Sequence, residues 1–166
     1  MNQIQNYKKA TFWERLFALL IDEIILLVIT VIFYFVLTQI GDNLLSLIFW
    51  IGSIMYGTLF IWKTGSTPGK KLLKLKVVTS TYQSVGFGTA LFRESLGKFL
   101  SGMVLNLGYL WVLINSKRQS WHDKLAKTFV VKTDSTGQLI PIAQDENISI
   151  WQKVIFGILF LVIGLP

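Results

Sequence analysis

The chain contains no cysteine, which excludes disulfides, thiolate catalysis and sulfur-ligated metal sites. It has one histidine, His122, so no pair of imidazoles is available to build a metal centre. A Gly-x-Ser-x-Gly elbow and a dinucleotide fingerprint are both missing; the sequence is therefore not read as an enzyme, and no cofactor or metal is expected. Charge is scarce too. Of 166 residues, 15% are charged and 52% hydrophobic, with a mean hydropathy of +0.56, the composition of a membrane protein rather than a soluble domain.

What charge there is has a clear placement. The net +7 would suggest nucleic acid for a soluble chain, but these basic residues flank hydrophobic runs, where they set topology and meet anionic headgroups. A lipid bilayer is the expected partner and nucleic acid is not. The first run, Trp13 to Leu37, is free of charge from Ile24 onward, yet carries Glu14, Arg15, Asp22 and Glu23 near its start. Asp22 lies about two helical turns after Arg15, so both side chains project from nearly one face, about 10 Å apart. A carboxylate within a span is a functional-site hypothesis that calls for a partner elsewhere.

The pattern predicts an all-α membrane protein: a helical bundle of two full spans plus a third span or a re-entrant hairpin, with a small cytoplasmic β element. A cytoplasmic leader covers 1–11, the membrane domain 12–132, with spans at about 16–38, 44–62 and 99–114, a polar linker 133–149, and a C-terminal apolar segment 150–166 that is an additional or a truncated span. Ser53 and Gly57 in the second span have the spacing that lets a neighbouring helix approach closely. Lys63 to Lys98 holds seven of the 16 Lys and Arg residues, which places that region and the N-terminus in the cytoplasm of a multi-pass cell-membrane protein. The stretch 99–114 has basic flanks on both sides, so a single crossing conflicts with the positive-inside rule and a hairpin near Gly102 to Gly108 resolves it. Lys71 to Val78 and Lys124 to Val131 match at five of eight positions. Two strands from these segments are expected to pair, with the period-two alternation of Leu73 to Val77 as the sign of the first. Thr89 to Lys98 reads as a helix supported by Glu94 and Lys98 one turn apart. Gly65 and Gly69-Lys70 do not form a phosphate loop, because the spacing is one residue short and Lys71 stands where a hydroxyl is needed.

Taken together, Arg15 with Asp22, Thr67-Pro68-Gly69-Lys70, Trp121-His122-Asp123-Lys124 and the closing Thr128 to Val131 resemble the RDD family, small multi-pass membrane proteins named for one arginine and two aspartates. The resemblance spans Thr11 to Lys132. It implies that Arg15, Asp22 and Asp123 are the named charges, with Arg93 a second candidate arginine, that Thr67 to Lys70 is the family turn, that Trp121 and Thr128 belong to the closing motif, and that transport is the commonly proposed activity. The sequence departs from the family pattern at Lys127, where glycine is more usual, which puts a tight glycine turn before the last strand in question.

Two readings of the charges stand side by side. In the first, Arg15, Asp22, Glu23, Arg93, His122 and Asp123 form an ion or proton site of the sodium/proton exchange class. Carboxylates then carry Na+ or H+, an arginine is the counter-charge, and His122, with an unperturbed pKa near 6.5, is a proton partner. In the second, the chain is a non-transporting scaffold or accessory subunit and the charges are a structural clamp, Asp22 pairing with Arg93 and Asp123 capping or anchoring the last strand. A homo-oligomer or a membrane-protein partner is compatible with either.

Overall fold

A computed structural model describes residues 7–36, 42–97, 99–100 and 107–142. Helix α1, Phe12–Val36, starts four residues before the expected span because Thr11 and Glu14 cap it reciprocally. The Glu14 carboxylate accepts the Thr11 N–H at 2.9 Å and the Thr11 hydroxyl accepts the Glu14 N–H at 3.4 Å, a capping box legible as Thr-x-x-Glu. Helix α2, Asp42–Thr64, ends where Gly65 takes φ +76° and returns its N–H to the Ile61 carbonyl at 2.9 Å, a left-handed stop that favours glycine. Both helices are long and apolar enough to cross a membrane, and only 11% of the α1 window and 22% of the α2 window is buried inside the chain. A core helix of a soluble protein would be mostly covered; here Ile24, Leu27, Ile32 and Phe33 all face outward.

The remaining elements make a layer at one end of these helices. They are α3 (Pro68–Leu72), β1 (Leu75–Thr79), α4 (Phe87–Phe92) continued by a π-helical stretch Arg93–Gly97, α5 (Leu107–Ile114), α6 (Trp121–Leu125) and β2 (Thr128–Lys132). The two strands pair antiparallel, Leu75 opposite Lys132 and Thr79 opposite Thr128. The matching segments thus form the expected pair, with β1 beginning two residues later than the alternation suggested, because Leu73 and Lys74 turn. Lys8 to Ala10 adds a short edge beside β2, the Ala10 N–H donating to the Val130 carbonyl at 2.9 Å. A small core of Ala10, Ala18, Ile61, Leu75, Val77 and Val130 lies where this layer meets α1 and α2.

The internal echo is a repeated structural unit. Each copy has a hydroxyl residue at the N-cap (Thr67, Ser120), a five-residue helix (α3, α6), a lysine with positive φ (Lys74 at 55°, Lys127 at 50°) and a five-residue strand. The turn expected at Thr79 to Ser84 is present, the Tyr82 N–H meeting the Thr79 carbonyl at 2.9 Å. Residues 133–142, inside the expected linker, fold back on the layer: the Lys8 N–H reaches the Ile140 carbonyl at 2.8 Å and Thr133 bridges to Leu139. The middle of the expected third span and the apolar segment 150–166 lie outside the described residues.

Candidate functional site

The charges expected to form one cluster are divided between two anchors. Asp22, buried on α1, meets the turn that opens α3: its Oδ1 accepts the Gly69 N–H at 2.8 Å and the Tyr56 hydroxyl at 3.1 Å, while Oδ2 accepts the Thr67 hydroxyl at 2.5 Å and lies 3.5 Å from Lys70 Nζ. Thr67 and Gly69 occupy the positions where a helix leaves backbone donors unpaired. A carboxylate from α1 therefore caps α3, as a local N-cap residue would. Pro68 fits the first helical position, where its missing N–H costs nothing. The pairing of Asp22 with Arg93 is not formed.

Arg93 instead joins Arg15 on Asp123. Arg93 donates from Nη2 at 2.9 Å and Nε at 3.2 Å to Asp123 Oδ1, and Arg15 donates from Nη1 to Asp123 Oδ2 and from Nη2 to the Arg118 carbonyl at 2.6 Å. Asp123 also accepts the Ser120 N–H at 3.3 Å, capping its own helix α6. Its side chain is fully buried. Burial works against its charge, but the guanidinium groups of Arg15 and Arg93 outweigh it and hold the carboxyl far below the usual carboxylate range. Burial likewise disfavours the charged form of Arg93, yet Asp123 and Glu94 raise it above the ordinary arginine value. His122 lies beside this group, its Nε2 3.0 Å from Ser120 Oγ and 3.6 Å from Asp123 Oδ1.

Glu94 has a role that sequence spacing did not reveal. It is buried, accepts from Arg93 Nη1 at 2.5 Å, and packs on α2, where a Cβ on Gly57 would stand 2.3 Å from its Oε2; Lys98 lies outside the described residues. The π-helical turn changes the angle between successive side chains, and here the adjacent Arg93 and Glu94 are both buried, at 2% and 3% exposure. The small-residue spacing of Ser53 and Gly57 does mark a close approach, but the visitor is a carboxylate. Tyr56, the other missed residue, had its hydroxyl within an apolar run as its only signal.

Two cavities flank these anchors. One of about 270 Å3 lies between α1, α2 and the π stretch, lined by Asp22, Glu23, Tyr56, Lys70 and Glu94. Another of about 500 Å3 lies between α1, α5 and α6, with Arg15, Lys70, Arg93 and His122 among apolar residues. The exposed Glu23 borders both. The carboxylates of the smaller cavity do not converge: among the described residues no three His, Asp or Glu side chains are placed to hold a metal ion. Trp121 stacks obliquely near Trp111, ring centroids 6.0 Å apart, and the buried Thr128 takes its place in β2 opposite Thr79.

No solved structure matches the chain. A proline-rich antigen of Mycobacterium leprae is 34% identical over 90 residues, 49% of this chain and 36% of that protein. A proline-rich antigen homolog of Mycobacterium tuberculosis is 35% identical over 94 residues, 52% of this chain and 39% of that one. The chain thus spans little more than a third of these relatives. The uncharacterized protein YxaI of Bacillus subtilis is 29% identical over 150 residues, covering 75% of this chain and 97% of that protein. The sequence profile of the RDD family matches residues 9–127, the part that holds both anchors and both candidate spans, and the chain belongs to the RDD family.

Proposed function

We propose that this chain is a multi-pass cell-membrane scaffold, without enzymatic activity, in which the named charges are a clamp that fixes a basic cytoplasmic layer to the spans. The observation that carries this reading is that every carboxylate oxygen of Asp22 and Asp123 accepts a hydrogen bond. Asp22 accepts three hydrogen bonds beside Lys70 and Asp123 accepts four, which leaves little of either carboxylate for a cation, and breaking a buried pair is costly. The excess of Lys and Arg in the strand layer argues for a cytoplasmic N-terminus. The β1–β2 pairing supports a reading in which both strands lie on one side of the bilayer, and with it a hairpin rather than a single crossing between them. Lys74, Lys124 and Lys127, all exposed, give the layer a basic surface for anionic headgroups, a membrane-protein partner or a second copy.

A second reading, Na+ or H+ transport, is favoured by one observation, the cavity beside α2 with Asp22, Glu23 and Glu94 in its wall. Reconstitution in liposomes with pH and sodium indicators separates the two. The scaffold reading expects no flux from the wild type and loss of folded protein for Asp22→Asn. Flux that disappears in a well-folded Glu23→Gln protein overturns it and establishes transport.

A further inference from the structure

The two cavities divide the signs of the charge network. Carboxylates Asp22 and Glu94 face the smaller one, whereas the guanidinium groups of Arg15 and Arg93 face the larger, with Lys70 shared. The carboxylate that compensates both arginines, Asp123, is wholly buried and is not part of the larger cavity's wall. That wall therefore presents Arg15, Lys70 and Arg93 against a single exposed acid, Glu23. Tyr109, Ser120 and His122 add polar atoms, and the rest is apolar: Phe12, Leu16 and Leu19 from α1, Leu110 and Val112 from α5, and Val130 from β2. Arg15 also has one N–H, its buried Nε, without a hydrogen-bond partner among the described residues. Phe12, Arg15 and Leu16 place part of its wall at the first turns of α1, where the outward-facing Trp13 suits the level at which aromatic residues meet headgroups.

We propose that this cavity is a binding site for an acidic phospholipid, the phosphate at Arg15 and Lys70 and part of one acyl chain along Leu16, Leu19 and Leu110. A volume of about 500 Å3 suits a small ligand or part of a lipid, and basic pockets beside membrane helices take anionic headgroups. The mostly apolar wall argues for a lipid rather than a free phosphate. The inference is independent of whether the chain transports ions, because its readout is lipid retention.

The test is native mass spectrometry of the whole chain purified in mild detergent, with phosphatidylglycerol or phosphatidylcholine added. One phosphatidylglycerol per chain is expected to be retained in preference to phosphatidylcholine. Lys70→Gln is expected to weaken that retention roughly fivefold, the effect of one surface cation. Leu110→Trp, which fills the apolar end and leaves both anchors intact, is expected to abolish it; it carries the test where Lys70→Gln fails to fold. Equal retention of the two lipids overturns the proposal, as does phosphatidylglycerol retention unchanged by Leu110→Trp. Displacement of the lipid by millimolar inorganic phosphate also overturns it, since the chain would then contribute nothing.

Discussion

The Asp22 carboxylate accepts the Gly69 N–H at 2.8 Å in a space so close that a Cβ on residue 69 would lie 2.3 Å from the Ala18 carbonyl and 2.9 Å from Asp22 itself. Two backbones and a carboxylate meet there, and none is the far end of a flexible chain. Gly69→Ala is expected to push α3 off α1, with an overpacking cost of about 1–3 kcal/mol. Thermal unfolding in detergent, followed by tryptophan fluorescence, should show a lower midpoint. A midpoint equal to wild type would mean that the turn yields freely and that Asp22 does not fix it.

Among the described residues, Asp123 is the one carboxylate shared by Arg15 and Arg93. Asp123→Asn leaves the buried Arg93 and the part-buried Arg15 facing one another, with Glu94 alone among the described residues to answer them. Removing one partner from a buried ion pair costs roughly 3–5 kcal/mol, so little folded protein is expected. Size-exclusion chromatography of the solubilised variant measures it: a monodisperse peak at wild-type yield would rule out the clamp.

The same cluster sets a direction for pH. Asp123 has a folded pKa below its unfolded value, so its contribution to stability is fully present above about pH 4, the unfolded aspartate range, and is lost as pH falls through the folded value. Arg93 is raised and stays protonated throughout. Between pH 5 and 9 neither group changes charge, so their contribution to stability should be flat there and should fall only in acid. Unfolding midpoints across this range check it, and a slope near neutrality would show another group in control.

How far the sequence carries depends on whether a signal is local. The two apolar runs and the paired strands were legible because each rests on neighbours in the chain or on a repeated string; the Thr11 to Glu14 box is as local but did not enter the sequence reading. The partners of Asp22 were not, because Arg15 and Asp22 share a helix face yet serve different anchors, one turned to α6 and the other to α3. Periodicity gives the face of a residue but not which loop returns to it. Glu94 was hidden for another reason: regular helical spacing does not reveal that the π turn buries it beside Arg93 and against Gly57. The expected third span, 99–114, has basic flanks on both sides, and the pairing of β1 with β2, a contact distant in sequence, is what bears on it among the described residues.

Gly57 and Glu94 form a pair that a double-mutant cycle can isolate. A Cβ on residue 57 would lie 2.3 Å from Glu94 Oε2 and 2.9 Å from its Cδ, and the Arg93 bond limits how far that carboxylate can retreat. Gly57→Ala alone is expected to lower the unfolding midpoint despite alanine's better helix propensity. Adding Glu94→Ala removes the clash, so Gly57→Ala in that background should be neutral or stabilising. Equal effects in both backgrounds would mean that the two residues are not in contact.

Lys127 stands at φ 50° immediately before β2, and Lys74 at φ 55° before β1, so the turn that the family's usual glycine would make is present with a lysine in its place. A left-handed conformation costs an L-residue roughly 1–2 kcal/mol, whereas glycine adopts it freely but gives up about 0.4–1 kcal/mol through the greater freedom of its unfolded chain. The Lys127 side chain is exposed, so its removal sacrifices little packing. Lys127→Gly is therefore expected to be neutral to stabilising by up to about 1 kcal/mol, raising the midpoint by roughly 2–4 °C at most for a chain of this size. Lys127→Val, β-branched at the same position, should lower it, because such residues are the least tolerant of positive φ. Should valine equal or exceed glycine, the turn has not kept its left-handed residue, and the carbonyl of residue 127 would no longer meet the Ser80 N–H at 2.9 Å.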